Sequence, residues 1–158
     1  ARVLSVSAPT TNGSIVTSDD GTGNTNIVKN INASSANGVP DYYGSSYWDD
    51  GGGGKGGRWV RYHPAVAADA YYRLRLNLPI SAQSQPIVKI TIKHADSATA
   101  ENFYVDLAKG GWFWRDIGTF RFDTSGNCYV RIMNEGDGTA GATTGKLPWD
   151  ALAWDPVS

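Results

Sequence analysis

Along most of this chain apolar and polar residues alternate one by one. Val60 and Tyr62 alternate with Arg61 and His63, and Tyr72, Leu74, Leu76 and Leu78 with Arg73, Arg75 and Asn77. Val88, Ile90 and Ile92 are separated by Lys89 and Thr91; Phe103, Val105 and Leu107 by Tyr104 and Asp106. Phe120 and Phe122 flank Arg121, Val130 and Ile132 flank Arg131, and Leu152 and Trp154 close the series. A period of two is the repeat of extended backbone, in which successive side chains point to opposite faces. Breakers separate the runs: Pro79, Pro86, Asp96-Ser97, Gly110-Gly111, Ser125-Gly126-Asn127 and Gly136-Asp137-Gly138. No window of useful length favours a helical period. The pattern therefore predicts an all-β chain, a two-sheet antiparallel sandwich in which each strand has one dry face. The expected core is Val60, Tyr62, Leu74, Leu76, Val88, Ile90, Ile92, Val105, Phe120, Phe122, Val130, Ile132 and Leu152. Residues Ala1 to Pro40 are less regular, with strands expected near Val3 to Val6, Ser14 to Thr17 and Ile27 to Ile31.

A length of 158 residues fits one domain spanning the whole chain. The net charge of −1 removes the electrostatic argument for nucleic acid or an anionic membrane surface. Nor is there an apolar run of about 18 residues to span a membrane. Cys128 is the only cysteine, so no internal disulfide forms. It alternates with Val130 and Ile132 and reads as a small buried apolar residue. An abundance of glycine and aromatic residues with little glutamate suits a secreted or cell-surface domain. The lack of disulfides points to bacterial export.

The densest chemistry lies in Tyr42 to Asp50, followed by the glycine-rich run Gly51 to Gly57 around Lys55. That glycine density predicts a loop or a pair of turns. Rings on a loop can stack on the apolar face of a sugar while neighbouring Asp and Lys groups reach its hydroxyls. The plainer alternative is that Tyr43 and Tyr47 cap a core and the glycines only make turns.

Several motifs, in order, resemble a known family. They are Tyr42-Tyr43-Gly44-Ser45-Ser46-Tyr47, Gly54-Lys55-Gly56, Val60-Arg61-Tyr62-His63-Pro64 and Val88 to Asp96. Then come Gly111-Trp112, Ile117-Gly118-Thr119-Phe120-Arg121-Phe122, Gly136-Asp137-Gly138 and Asp150-Ala151-Leu152-Ala153-Trp154. Over roughly Gly13 to Pro156 the chain resembles the golvesin C-terminal/xanthan-lyase carbohydrate-binding-like domain. The resemblance implies a galactose-binding-like jelly roll attached to polysaccharide-degrading or cell-surface proteins. Residues Thr139 to Pro148 enlarge a loop relative to that pattern, and Trp48 and Trp114 add rings to it.

The candidate ligand-binding residues are Tyr42, Tyr43, Trp48, Asp49, Lys109, Trp112, Trp114, Arg115 and Trp149. Trp112 and Trp114 share a face of an extended segment opposite Phe113, so either they form a platform and Phe113 is core, or the reverse. The segments Tyr42–Asp50, Lys109–Trp114 and Thr139–Trp149 are expected to gather, because jelly-roll loops cluster at the sandwich ends. Arg58, Arg61, Arg73, Lys55 and Lys109 would suit an acidic polysaccharide. The resemblance also implies one structural calcium, for which Asp49, Asp50 and Asp150 with the carbonyls of the Gly51–Lys55 turn supply hard oxygen ligands. Asp19-Asp20-Gly21 competes for that role, and Asx-turns are the simpler explanation of all these carboxylates.

A catalytic site is harder to assemble. Glycoside hydrolysis uses two carboxylates, and Glu101 and Glu135 are the only glutamates. A lyase would have to bring His63, His94, Tyr104 and Arg131 together. No zinc motif or phosphate-binding loop is present, since Lys55 lacks the following Ser or Thr. The expected function is thus a monomeric, non-catalytic carbohydrate-binding module, holding the catalytic domain of a larger secreted protein on a polysaccharide. Its rivals are a small lyase or hydrolase and an adhesion or structural domain.

Overall fold

The computed structural model describes residues 2–5, 15–18, 27–30, 35–36, 47–49, 55–64, 66, 68–77, 85–106, 114–143, 145, 147–149 and 151–157. Before residue 50, and at Asn77, Trp114, Pro148 and Ala151, the description is of backbone alone. The strands are β1 (Arg2–Ser5), β2 (Ile15–Ser18), β3 (Ile27–Asn30), β4 (Ser35–Ala36), β5 (Tyr47–Asp49), β6 (Trp59–Tyr62) and β7 (Ala70–Asn77). They continue as β8 (Ile87–Lys93), β9 (Glu101–Asp106), β10 (Trp114–Phe122), β11 (Tyr129–Met133), β12 (Pro148–Trp149) and β13 (Ala151–Pro156). No described residue is helical.

Two five-stranded antiparallel sheets form, with strand orders β1-β10-β7-β13-β2 and β3-β6-β11-β8-β9. A three-stranded ribbon, β12-β5-β4, accompanies them. The alternation seen in the sequence becomes the two inner faces. Tyr72, Leu74, Leu76, Phe122, Leu152 and Trp154 come from the first sheet. Val60, Tyr62, Val88, Ile90, Ile92, Val105, Val130 and Ile132 come from the second. The expected core is buried except for Phe120, which is half-buried in a ring cluster with His94, Phe103 and Phe122. Cys128 is buried as expected, and burial pushes its thiol pKa up.

Two features depart from simple alternation. Tyr47–Asp49, expected as loop, is a strand paired on both sides, with β4 and β12. Its aromatic residues suit extended backbone, but its partner lies about a hundred residues away, where local pattern has no reach. The second is a bulge in β10 between Asp116 and Gly118. Gly118 has φ +140°, and an added Cβ there would stand 3.2 Å from the Phe120 ring. Glycine is what lets the extra residue fit.

The pairing registers fix which connections share an end of the sandwich. Asn77 at the end of β7 lies opposite Trp114 and Ala151, which open β10 and β13. In the other sheet, Trp59 opening β6 lies opposite Met133 closing β11, and Ile87 opening β8 opposite Asp106 closing β9. The chain therefore passes between β5 and β6, β7 and β8, β9 and β10, and β11 and β12 at one end.

Candidate functional site

That end is organised around Asn134, which is fully buried at the close of β11. Its side-chain Oδ1 accepts hydrogen bonds from the backbone N–H groups of Gly56 at 2.9 Å and Arg58 at 3.2 Å. Its own N–H donates to the Arg58 carbonyl at 3.0 Å, and its carbonyl accepts from Gln85 Nε2 at 3.2 Å. Gln85, also buried, accepts at Oε1 from Lys55 Nζ at 2.8 Å, and Lys55 donates again to the Gly145 carbonyl at 2.7 Å. Three segments far apart in sequence are thus clipped together by buried amide groups, which stay there only because each is satisfied.

The loop after Asn134 folds tightly on itself. A Cβ on Gly136 would meet the Ala142 Cβ and the Thr143 methyl at 2.9 Å each. Asp137 Oδ1 accepts from Thr139 Oγ1 at 2.6 Å and from Thr139 N–H at 3.0 Å. Those bonds, the hydroxyl's first, hold its carboxyl below the usual carboxylate range.

Between this loop and β9 lies an open cleft of about 570 Å³, bordered by Lys55, Tyr104, Glu135, Asp137, Thr139 and Thr143. Tyr104 is 48% exposed and stands opposite Lys89 in the ladder. Lys89 in turn pairs with Glu135 at 3.2 Å. One wall offers a ring face and the other carboxylates and hydroxyls. Chemically, that combination can stack on an apolar surface and hydrogen-bond polar groups at its edge.

The residues singled out in the sequence divide into three groups. Tyr42, Tyr43, Asp50, Lys109, Trp112 and Asp150 lie outside the described residues. Trp48, Asp49 and Trp114 are placed by their backbone. Trp48 pairs with Trp149, Asp49 with Pro148, and Trp114 with Asn77, whose other neighbour is Ala151. The strand ends bordering the three expected segments therefore meet at the cleft end. Trp149 and Arg115 are corrections. Trp149 is fully buried, and its indole N–H donates to the Ile132 carbonyl at 2.9 Å, so it packs in the core rather than offering a stacking face. Arg115 is also fully buried, turned between the sheets, with Nη1 3.4 Å from the Asp106 carbonyl. Burial lowers its pKa, and the Asp106 carboxylate opposes that shift. Asp116 beside it is buried as well.

Thr139 belongs to a segment expected at the site, whereas Tyr104, weighed only as a catalytic candidate, and Asp137 were not expected to border the cleft, nor Asn134 and Gln85 to brace it. The available signal was Gly136-Asp137-Gly138, whose glycines permit the tight loop. Among the described residues, no group of three His, Cys, Asp or Glu side chains converges as a metal site. The two candidate carboxylates are anchored separately, from β8 and from the residue that follows it. Glu101 is held by His94 at 3.0 Å and Glu135 by Lys89. Those anchors are five residues apart on extended chain, about 16 Å at roughly 3.3 Å per residue. Glycosidase carboxylate pairs stand about 5–9.5 Å apart.

A family model for the golvesin C-terminal domain matches residues 14–144. The chain belongs to this family. A xanthan lyase from Bacillus sp. (strain GL1) is 29% identical over 117 residues, covering 74% of this chain and 12% of the lyase. The structure of Paenibacillus xanthan lyase superposes with a TM-score of 0.76 at 21% identity, over 92% of this chain and 13% of that one. The Podospora anserina GH26-CBM35 β-(1,4)-mannanase follows with a TM-score of 0.61 at 11% identity, over 94% of this chain and 28% of the mannanase. These likenesses show the fold, a galactose-binding-like β-sandwich. The chain spans about an eighth of the length of the lyases it matches.

Proposed function

We propose that this golvesin C-terminal domain is a non-catalytic carbohydrate-binding module. It grips a polysaccharide at the cleft end of the sandwich and holds an attached secreted enzyme on that polymer, raising its effective concentration there. The observation that carries the reading is the cleft itself, with the exposed Tyr104 ring facing Glu135, Asp137 and Thr139 across an open groove. Trp48, Trp112, Trp114, Tyr42 and Tyr43 extend the stacking surface in this proposal, and Lys109 and Asp49 add polar contacts. One structural calcium held by Asp49, Asp50 and Asp150 belongs to the same reading. The pairing of β5 with β12 supports it by joining the chain segments that carry those carboxylates.

The separate anchoring of Glu135, at Lys89, and of Glu101, at His94, favours binding over bond cleavage. Affinity electrophoresis against a polysaccharide panel tests this. Retarded migration without new reducing ends or unsaturated products is the expected result. Tyr104→Ala should weaken binding by about 1–3 kcal/mol with the melting temperature nearly kept, because an exposed ring contributes little to the fold. Full retardation of Tyr104→Ala, Trp48→Ala and Trp114→Ala alike would reject the cleft end, and cleavage products would reject the non-catalytic reading.

A further inference from the structure

The outward face of the β3-β6-β11-β8-β9 sheet carries an arrangement that folding alone does not explain. Arg61 on β6 and Arg131 on β11 lie directly opposite each other in the ladder. Like charges in that position destabilise a sheet. Three other arginines have carboxylates: Arg121 has Asp69 and Asp96, and Arg75 and Arg73 share Asp155. Arg61 and Arg131 have none among the described residues, and the Nε of each is buried without a hydrogen-bond partner.

The surroundings hold these charges in place without neutralising them. The Arg61 guanidinium lies 5.0 Å from the Trp59 ring centre and 4.7 Å from that of Tyr129. Stacking between rings fixes the plane of a guanidinium and leaves its edge donors to reach an oxyanion. Beside Arg131, Thr91 is buried and its hydroxyl is engaged with Asn102 at 2.8 Å. Lys93, opposite Tyr129, donates to the carbonyls of His94 and Ser97, so its charge too is met by neutral groups. Glu135, near this face, is taken up by Lys89.

We propose that this sheet face is an anion-binding subsite and that the polymer bound by the domain bears carboxylates. A uronate-type group would lie against the Arg61–Arg131 pair, with Trp59 and Tyr129 flanking the sugar ring. Charge complementarity selects the occupant: two adjacent cations lacking a carboxylate among the described residues, on a chain whose net charge is only −1, favour a specific acidic ligand over general attraction. The proposal deepens the polysaccharide-binding reading and rests on it.

The test compares wild type with Arg61→Met and Arg131→Gln, which keep much of the unbranched stem while removing the guanidinium and its charge. Binding is measured to polygalacturonate, to a neutral galactomannan and to dextran sulfate over a salt series. Wild type is expected to bind polygalacturonate, each variant about tenfold or more weakly and with a shallower salt dependence. Melting temperatures of the variants should equal or exceed wild type, since like-charge repulsion is relieved. Binding of galactomannan without polygalacturonate would overturn the acidic subsite while leaving the module reading intact. Failure of wild type to bind any of the three polymers, or of trigalacturonate to raise its melting temperature, would overturn the inference. Equal losses for neutral and acidic polymers would also overturn it, and so would variants that match wild type. Tighter binding to dextran sulfate that survives both substitutions would reveal general cation exchange, which refutes the proposal.

Discussion

Asn134→Ala is the substitution whose consequences can be worked out most fully. It removes the acceptor of two backbone donors, Gly56 N–H at 2.9 Å and Arg58 N–H at 3.2 Å, and leaves the main-chain bonds of residue 134 in place. A net hydrogen bond contributes about 0.5–1.5 kcal/mol, so two give roughly 1–3 kcal/mol. The lower end applies if water enters to replace the amide, which the exposed position of Gly56 favours. In a domain of this size that destabilisation lowers the melting temperature by about 2–12 °C, at roughly 2–4 °C per kcal/mol. Urea unfolding followed by tryptophan fluorescence measures it, with the midpoint falling and the slope unchanged. Because the Asn134 side chain also holds Gly56, which borders the cleft beside Lys55, the variant should lose affinity at the cleft even at temperatures where it is fully folded. An unfolding free energy within about 0.5 kcal/mol of wild type would refute the reasoning, since surface changes away from such features fall in that range. So would an unaltered affinity in a destabilised variant, which would separate the clip from the cleft.

Leu76→Ala, at a fully buried position, should cost about 2–5 kcal/mol in denaturant unfolding; a near-neutral change would contradict its place in the core. Cys128 should react with a thiol reagent only on unfolding, because it is buried and its pKa is raised; rapid labelling of native protein would disagree. Asp96 is held below its usual pKa of 3.8, chiefly by its hydrogen bond from Arg121. Its contribution is therefore present above that pH and is lost as pH falls through the depressed value, and Asp96→Asn should flatten the acid limb of the melting profile. If the proposed calcium is bound, a chelator lowers the melting temperature by mass action and Asp50→Ala mimics it; an unchanged transition in metal-free protein would reject the ion.

Much of the architecture was legible because burial on one face is a strong selector at period two. The alternating runs became β6 to β11, with every expected residue but Phe120 inside. Even the short early strands fell within a residue or so of Val3, Ile15 and Ile27. The ribbon of β4, β5 and β12 was not legible, because a two- or three-residue strand has no period to read and its pairing spans most of the chain. Alternation also tells which residues share a face without telling which face is dry. Trp149 shows the cost. Its ring was assigned to a surface by its place in an inserted loop, yet its indole N–H finds the Ile132 carbonyl, and a satisfied indole is well suited to a core.

Arg115 shows how one residue can reverse a functional assignment. Counting back from Phe122 and Phe120, strict alternation places Arg115 on the outer face. The bulge between Asp116 and Gly118 inserts one residue, so Arg115 comes to lie opposite Leu76 while Phe120 lies opposite Tyr72, both inward-facing partners. A one-residue shift changes the face of every side chain beyond it. Arg115 thus braces the two sheets, and Asp116 takes the place opposite Arg75. The shift depends on a backbone angle of +140° that a side chain would resist and on a gap that the Phe120 ring nearly fills. Gly118 therefore decides which residues at the start of β10 belong to the interior, and it removes Arg115 and Asp116 from the surface that a ligand can reach.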